Sequence, residues 1–565
     1  MAPEPVAGTM NSTWNNRVIP LREFRIQSVF FAVIFLFGVA CSDEAGSGND
    51  AADAGGDSAA EKDGSGSERF RFLVESMEQE MDALDIPGAA VAVMENGQVT
   101  FAQGFGTRHP DREEPVKPTT LFRIGSVTKM ITAAGLLQLV DEGRVDLDAP
   151  ITDYIPDFGF SRDESWAPGI TARHLLTHSS GIYDYLEVDT GPELRDDDAL
   201  SVYMNGEFGD VSYLMAPSGR MYNYSNPNFM LSGLITETVS GEYYNDYIRE
   251  RVLMPLGMKR TFFLPEEVLE DGDYACGLNN MIYWGPELPL VVAPDSYDNG
   301  WARPAGYAFS SVLDLARFVS FLRDGNTDVL SDELRKAMQE PQFCTEEILD
   351  ITHYGYGLFI SQGAFYGPGP DDFYDLKLVT HGGAIPGFSA GIYYMPELDF
   401  AFIVLAGADG AYFENSFVTA VNTLCEMPDA AQPPDLTMDT DSYDIYAGEY
   451  FDDFMAGEII ISRDGDDLLV DIPGFDSFGV AYERVLESAA PDNFILYLGD
   501  TPLTATFLFD DEDNVEYLRT RIFVATPVQE DAGVSDKGRA VPVFNPDSLI
   551  QTLPYLPPYF YPDSL

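Results

Sequence analysis

The apolar positions of the chain become periodic near Glu68, after a long polar segment. Six of them recur at helical spacing and predict an amphipathic first helix: Phe70, Leu73, Val74, Met77, Met81 and Leu84. Two apolar segments, residues 89–94 and 99–105, then flank Asn96-Gly97. Because an Asn-Gly pair between strand-like runs favours a tight turn, these segments predict a β-hairpin.

Helical patterns dominate the middle of the chain, and strand-like runs return towards residue 400. Helices are predicted over residues 126–141, 226–240, 243–254, 311–323 and 415–425. Strands are predicted over residues 390–395 and 400–406. This order indicates an α+β domain at residues 68–427, with one antiparallel sheet assembled from both ends of the segment beside a helical region.

The pattern becomes all-β after residue 440. A Pro-rich segment, residues 428–440, is typical of a linker. Short strands are predicted beyond it, over residues 458–462, 467–472, 494–498, 504–509 and 515–524. Residues 441–527 are therefore expected to form a small antiparallel β domain, either a barrel or a sandwich. Residues 528–565 make up a Pro-rich tail.

The N-terminus has the pattern of an export signal. Three arginines precede an apolar run over residues 29–40, too short for a membrane-spanning helix of about 20 residues. The run ends at Cys41 and resembles a bacterial lipobox, although a lipobox usually has Leu where Gly38 stands. Residues 1–41 are thus predicted to be a lipoprotein-type signal with Cys41 lipidated, and an ordinary signal peptide is the alternative. The Gly-, Ala-, Ser- and Asp-rich residues 42–67 predict a flexible linker.

This N-terminus predicts an exported protein of the cell envelope. A lipid anchor would hold it at the outer membrane or the cell surface. Without lipidation at Cys41 the protein would be secreted or periplasmic.

Charge narrows the classes of partner. The 565-residue chain has 93 acidic and 32 basic residues, which give a formal net charge of −61. Such a surface repels phosphate backbones, so nucleic acid is not expected as a partner. High solubility and adaptation to a salty medium both remain open as reasons for the charge. With 45% hydrophobic residues, the chain still has material for a large core.

The cysteines give no sign of a metal site. Cys276, Cys344 and Cys425 follow the signal, and none belongs to a C-x-x-C pair. Neither zinc nor a redox motif is therefore predicted, and no cofactor is expected. Three thiols allow at most one disulfide bond, and their spacing does not identify the pair.

Candidate nucleophilic chemistry begins at Ser126-Val127-Thr128-Lys129, at the start of a strongly helical pattern. Residues i and i+3 share a helix face, so the hydroxyl and the amine would be neighbours. A desolvated lysine loses its proton more readily and can act as the base for a serine nucleophile. A capping serine beside a solvated lysine is the alternative. It is disfavoured because the chain has only seven lysines and this one lies in an apolar stretch.

Two further motifs are candidates for the same cleft. Tyr224-Ser225-Asn226 stands between a loop and a predicted helix, where a phenol and an amide can point into a cleft. His381-Gly382-Gly383 follows a strand-like run, and paired glycines let a substrate lie against a strand edge. Each motif is weak alone, because Tyr-x-Asn recurs in the chain and a histidine before glycines is more often structural.

In this order the three motifs resemble those of class C β-lactamases and of the related penicillin-binding D-alanyl-D-alanine carboxypeptidases, esterases and D-aminopeptidases. Further segments match the family at residues 170–181, 224–241, 255–258, 304–306 and 355–357. The resemblance covers roughly residues 68–426. It implies the β-lactamase/transpeptidase fold, and the motif at residues 446–450 resembles the lipocalin-like barrel often appended to such hydrolases.

The resemblance also implies catalytic roles. Ser126 would be the acylated nucleophile, and Lys129 with Tyr224 would form the general-base pair. Asn226 would hold the acyl-side amide of the substrate. The backbone N–H groups of Ser126 and Ala384 would form the oxyanion hole.

His381, Gly382 and Gly383 would line the substrate site along the strand. Here the sequence departs from the family pattern. His381 stands where true β-lactamases have the lysine of K-T-G, and Gly382 stands where they have a hydroxyl residue. Imidazole is mostly neutral at pH 7, and a glycine has no hydroxyl group to donate. Both changes therefore weaken the recognition of a β-lactam carboxylate.

The chain is therefore expected to be a metal-free serine hydrolase that forms an acyl-enzyme with a small-molecule or peptide substrate. The bond cleaved would be an ester or a peptide, including one made by a D-residue. A true β-lactamase is one alternative, and a covalent sensor or scaffold that does not turn over is another. Because every motif precedes residue 428, the first domain is expected to become acylated without the β domain.

Overall fold

The computed structural model describes residues 68–528, except 110–111, 161–164, 166, 185–193, 279–289, 292–297, 346–351, 368–371, 409, 437 and 500. The predicted signal and linker, with Cys41, and the tail beyond residue 528 lie outside the described residues. Within those residues, no helix combines the length and the apolar character needed to cross a membrane.

One antiparallel sheet forms the centre of the first domain. The strands of this domain are β1 (Gly88–Glu95), β2 (Gln98–His109), β3 (Arg112–Pro115), β4 (Phe122–Arg123), β5 (Gly277–Leu278), β6 (Leu290–Val291), β7 (Phe309–Ser310), β8 (Phe343–Cys344), β9 (Thr352–Tyr354), β10 (Phe359–Phe365), β11 (Phe373–Ile385), β12 (Phe388–Met395) and β13 (Phe400–Ala406). In the described part of the chain, nine of them form the sheet, in the order β3-β2-β1-β13-β12-β11-β10-β9-β8. The early β1 pairs with the late β13, which places Val91 opposite Val404 and confirms a sheet assembled from both ends.

The helices of this domain lie mostly between β4 and β8 in sequence. They are α1 (Arg71–Ala83), α2 (Thr128–Asp141), α3 (Ala172–Leu176), α4 (Ala199–Met204), α5 (Phe208–Val211), α6 (Asn226–Ser240), α7 (Tyr244–Ile248), α8 (Met254–Leu256), α9 (Pro265–Asp271), α10 (Arg303–Gly306), α11 (Val312–Asp324), α12 (Asp332–Met338) and α13 (Glu414–Leu424). A π-helical turn at Arg249–Leu253 separates α7 from α8, so the helix predicted over residues 243–254 is divided into short pieces.

Both faces of the central strands are covered by helices. Leu73 and Met77 of α1 and Phe417 of α13 pack with Val91 and Val404 in one buried cluster. The alternate positions of β1 are buried as well, and α11 packs against β1 and β13. Strands covered on both faces have apolar residues throughout, which explains the unbroken apolar runs of β1 and β13.

The C-terminal domain is a closed antiparallel barrel. Its elements are β14 (Gly448–Asp452), β15 (Gly457–Asp464), β16 (Asp467–Asp471), α14 (Pro473–Phe478), β17 (Val485–Ala490), β18 (Asn493–Leu498), β19 (Thr501–Phe509), β20 (Val515–Arg519) and β21 (Val524–Pro527). The eight strands follow one another in sequence order, and β14 closes on β21. Of the two predicted forms, barrel and sandwich, the structure therefore has the barrel.

The barrel packs against the first domain. Tyr183, Tyr213 and Met221 of the first domain belong to the same buried apolar cluster as the barrel interior. The ring of Tyr213 stacks on Phe454 with centroids 4.0 Å apart. The sequence does not indicate this contact, and acylation of the first domain without the β domain stays a prediction.

Candidate active site

Ser126 lies at the entrance to a buried helix. It occupies a 3₁₀ turn, Gly125–Val127, directly before α2. Thr128 Oγ1 donates to Gly125 O at 2.7 Å and closes this turn. Lys129 is fully buried, and its Nζ lies 2.9 Å from Ser126 Oγ. The residues predicted to be neighbours are thus in hydrogen-bond contact.

The surroundings of Lys129 favour its neutral form. Nζ also donates to Asn226 Oδ1 at 2.6 Å and to the carbonyl oxygen of Ala305 at 2.7 Å. Burial lowers the pKa of Lys129 well below its ordinary value, while Asp184 raises it and Arg521 lowers it. A neutral amine donates two hydrogen bonds and accepts one. Lys129 can therefore keep both donations and accept the proton of Ser126, as a general base must.

Tyr224 also contacts Ser126. Its ring is buried, with its centroid 4.9 Å from Lys129 Nζ. Burial raises the pKa of Tyr224, and a hydrogen bond with the Ser126 side chain opposes this rise only in part. The phenol is therefore protonated at neutral pH and is in contact with the predicted nucleophile.

A buried carboxylate, that of Asp184, holds Asn226 in place. Asp184 Oδ1 accepts hydrogen bonds from Asn226 N at 2.8 Å and from Asn226 Nδ2 at 3.1 Å. Asn226 is the first residue of α6, so the carboxylate also lies at the positive end of that helix. These contacts direct Oδ1 of Asn226 towards Lys129.

His381 lies in β11 with its ring inside the protein. Its Nδ1 is 2.6 Å from the carbonyl oxygen of Gly382, and its Nε2 is 2.9 Å from the Tyr354 hydroxyl. A carbonyl only accepts, so Nδ1 carries the proton and Nε2 accepts from Tyr354. Burial, with a smaller effect of Lys129, lowers the pKa of His381 to about 3. The ring is thus neutral and bonded to protein at both nitrogens, and any effect on a substrate passes through Tyr354 or the strand.

Two glycines let the nucleophile turn lie directly on β11. Gly125 has a φ of 49°, and a methyl group added to it would lie 2.6 Å from Ala384 N. A methyl group on Gly383 would lie 2.0 Å from the carbonyl oxygen of Ile124 and 3.1 Å from Ser126 N. The amide nitrogens of Ser126 and Ala384 therefore lie close together, where the oxyanion hole is predicted.

Two residues of the site have no motif of their own. Asp184 lies just beyond the family-like segment 170–181, and this proximity is its only sequence signal. Arg521 of the barrel donates to Asp184 Oδ2 at 2.5 Å. It falls inside the segment predicted as a single strand, residues 515–524, and nothing in its local sequence relates it to Ser126.

The three predicted motifs are thus adjacent in space, and their catalytic roles remain predictions. Ser126, Lys129, Tyr224 and Asn226 form one hydrogen-bonded group, in which Ser126 is half-buried and the other three are buried. Gly383 lies against the turn that carries Ser126, and Gly382 and His381 continue the same strand.

Comparison with known proteins identifies the family. A family model described as Beta-lactamase matches residues 73–416. Protein flp of Staphylococcus aureus (strain MW2) is 28% identical over 342 residues, which are 60% of this chain and 62% of that protein. The unguisins hydrolase ungD' of Aspergillus campestris (strain IBT 28561) is 30% identical over 360 residues, 62% of this chain and 63% of the relative. The chain thus spans less than two thirds of the length of these curated relatives.

A solved structure agrees with this assignment. The octameric penicillin-binding protein homologue from Pyrococcus abyssi aligns with a TM-score of 0.53 and 26% identity, over 80% of this chain and 99% of that one. The resemblance inferred from the motifs is confirmed, because the family model matches more than half of the sequence. The chain belongs to the beta-lactamase family, which includes hydrolases.

Proposed function

We propose that this chain is a serine hydrolase that cleaves an ester or a peptide bond through an acyl-enzyme on Ser126. The observation that carries the proposal is the fully buried Lys129, with its Nζ 2.9 Å from Ser126 Oγ and its pKa lowered well below the ordinary value. A neutral amine in contact with a serine hydroxyl is an activated nucleophile–base pair.

Acylation needs one proton acceptor and one proton donor. Ser126 Oγ attacks the substrate carbonyl carbon, and its proton passes to Lys129 Nζ. The carbonyl electron pair moves to oxygen, where the N–H groups of Ser126 and Ala384 stabilise the negative charge. Tyr224, protonated at neutral pH, then gives its proton to the leaving alkoxide or amine as the carbon–heteroatom bond breaks. Lys129 returns a proton to the Tyr224 phenolate, and water releases the acyl group by the same steps in reverse order.

The proposed substrate is an acyl compound that carries no charge near the scissile bond. His381 has a pKa of about 3 and is bonded at both ring nitrogens, so it supplies no cation where a β-lactamase has lysine. A relative at 30% identity is named an unguisins hydrolase, which supports a hydrolytic activity for this chain. The chain should therefore hydrolyse a nitrophenyl ester with a higher kcat/KM than a chromogenic cephalosporin, and the opposite order would favour the β-lactamase alternative.

Covalent labelling tests the nucleophile directly. The protein is incubated with a fluorophosphonate and, separately, with penicillin, and the modified peptide is mapped by mass spectrometry. We expect one fluorophosphonate adduct on Ser126, absent from Ser126→Ala and from heat-unfolded wild type. A folded protein that shows no adduct on Ser126 contradicts the proposal. A burst of one product equivalent without a steady state would instead indicate the covalent sensor.

A further inference from the structure

A positive charge from the barrel reaches the candidate active site. Arg521 lies in the turn between β20 and β21, and its guanidinium donates to Asp184 Oδ2 at 2.5 Å. The Arg521 and Asp184 side chains are 10% and 1% exposed, so the ion pair is buried between the two domains. The Arg521 guanidinium carbon also lies 5.3 Å from the centre of the Tyr224 ring.

A continuous series of hydrogen bonds joins this arginine to the nucleophile. Asp184 accepts from Arg521 through one carboxylate oxygen and from Asn226 through the other. Asn226 in turn accepts from Lys129, and Lys129 contacts Ser126. The side chain of Asn226 is thus oriented by a carboxylate that the barrel holds in place.

Arg521 also compensates the charge of Asp184. A buried carboxylate that loses its partner is strongly unfavourable, because the remaining charge is uncompensated. Asp184 raises the pKa of Lys129 and Arg521 lowers it. With both present, the two charges oppose each other, and burial remains the main influence on the pKa of Lys129.

Other ionisable groups close to Lys129 carry little charge near pH 7. Burial lowers the pKa of His178 and of His381, so both rings are neutral, and burial raises the pKa of Tyr224, so the phenol is protonated. Within the described residues, Asp184 and Arg521 are the charges that shift the pKa of Lys129. Removing Asp184 should therefore lower the pKa of Lys129, and removing Arg521 should raise it.

We propose that Arg521 is a positioning residue for catalysis: the barrel supplies it to hold Asp184, and through Asp184 it sets the orientation of Asn226 beside Lys129. This inference rests on the proposed function only in assigning the base to Lys129. It makes the docked barrel a part of the hydrolase site.

The test compares four full-length variants: Arg521→Met, Asp184→Asn, the double variant and Arg521→Lys. Arg519→Met is the matched control, since Arg519 is also a buried arginine at the end of β20, next to Tyr222 and the Thr345 carbonyl. Each protein is characterised by its melting temperature and by the pH dependence of kcat/KM for a nitrophenyl ester.

We expect Arg521→Met to move the acid limb of the pH profile to higher pH by about one unit, since Asp184 then acts on Lys129 unopposed. On that limb kcat/KM should fall about tenfold, because the neutral fraction of an amine falls tenfold for each unit of pKa. Asp184→Asn should move the limb to lower pH, and the double variant should restore its position at a lower rate. Arg521→Lys should keep the position of the limb, because the charge is retained. Arg519→Met should lower only the melting temperature.

A second readout does not need turnover. Lysine labelled with ¹³C at Cε is resolved by NMR in a chain with seven lysines, and Lys129→Met assigns the buried signal. The titration of this signal should shift upwards in Arg521→Met and downwards in Asp184→Asn. If Arg521→Met behaves like Arg519→Met in both readouts, Arg521 is only structural. If the titration shifts but wild type neither hydrolyses the ester nor labels at Ser126, the coupling stands and the proposed function fails.

Discussion

At the scale of single residues, burial determines the chemistry of this site. Lys129 is fully buried, and desolvation is the main reason for its lowered pKa. The same cause keeps Tyr224 protonated and His381 neutral. Desolvation penalises the charged form of any group, so one apolar environment favours the neutral forms of Lys129, the proposed base, of Tyr224, the proposed proton donor, and of His381.

Lys129, as the proposed base, should therefore affect kcat/KM more than any other lysine. Lys129→Ala should lower kcat/KM for a nitrophenyl ester by about 10²–10⁴, the usual contribution of general-base catalysis. Lys336→Ala, at an exposed position of α12, should leave kcat/KM unchanged. Steady-state kinetics on both variants check this. A Lys129→Ala enzyme with nearly wild-type kcat/KM would remove Lys129 from the mechanism.

His381 should make the native state sensitive to acid. Its folded pKa of about 3 lies below its ordinary value of 6.5, so the unfolded chain takes up a proton that the native state refuses. The stability contributed by the neutral ring is fully present above pH 6.5 and is lost as pH falls towards 3. The slope approaches about 1.4 kcal/mol per pH unit in this window. Urea unfolding of wild type and His381→Gln at pH 8, 6 and 5 should show a shallower decline for the variant, and parallel declines would contradict the buried neutral ring.

At the scale of elements, the site depends on the close contact between the Ser126 turn and β11. The carbonyl oxygen of Ile124 lies where a side chain at position 383 would start, so this contact requires a glycine. Position 382, one residue earlier, has room: a methyl group there would lie 3.6 Å from the Tyr412 ring, an ordinary contact distance.

Neighbouring glycines therefore make a matched pair of substitutions. Gly383→Ala should push the turn away from β11 and slow fluorophosphonate labelling of Ser126 by at least about 10²-fold, as expected for a disrupted oxyanion hole. Gly382→Ala, whose methyl group has room, should slow labelling much less than Gly383→Ala. Circular dichroism and labelling kinetics on the two folded variants check this, and equal labelling rates would show that the contact is not needed.

Most of these elements could be predicted because each has a local pattern. The hairpin at Asn96-Gly97, the helix after Ser126 and the last two strands of the sheet all follow from periodicity and turn chemistry. The prediction of the barrel is less complete: β14 and β17 were not predicted from their periodicity, and the single strand predicted over residues 515–524 covers β20, a turn and only the first residue of β21. Arg521 lies in the turn between β20 and β21. Because this turn was not predicted, the position of Arg521 at the candidate site could not be predicted either.

The candidate site also has one part that a local pattern predicts and one part that it does not. Ser126 and Lys129 are three residues apart, so helix geometry brings them together. Asp184 and Arg521 meet only because the barrel packs on the first domain through Tyr183 and Tyr213. A contact between distant segments leaves no periodicity in either of them, which is why this part of the site could not be predicted.

At the scale of the whole molecule, the N-terminus bears on where in the cell the protein is located. Cys41 lies outside the described residues, and its lipidation remains a proposal based on the apolar run and the small residues before it. Wild type expressed in a bacterium should partition with membranes and carry a lipid mass on Cys41. Cys41→Ser should move to the soluble fraction. Mass spectrometry of the N-terminal peptide checks this, and a wild type without lipid mass would indicate an ordinary signal peptide.

The net charge of −61 should make stability depend on ionic strength. Surface ion pairs, such as Arg71–Glu75, contribute little and weaken in salt, whereas the excess of acidic residues repels itself over long distances. The screening length falls from about 30 Å at 0.01 M to about 10 Å at 0.1 M, so repulsion should be relieved early in a salt titration. We expect the melting temperature to rise steeply up to a few tenths molar NaCl and to rise equally in sodium sulfate at matched ionic strength. A rise that appears only at molar concentrations, and more strongly in sulfate, would indicate strengthened apolar burial in place of charge screening. A flat or falling curve in NaCl would exclude adaptation to a salty medium as the reason for the charge.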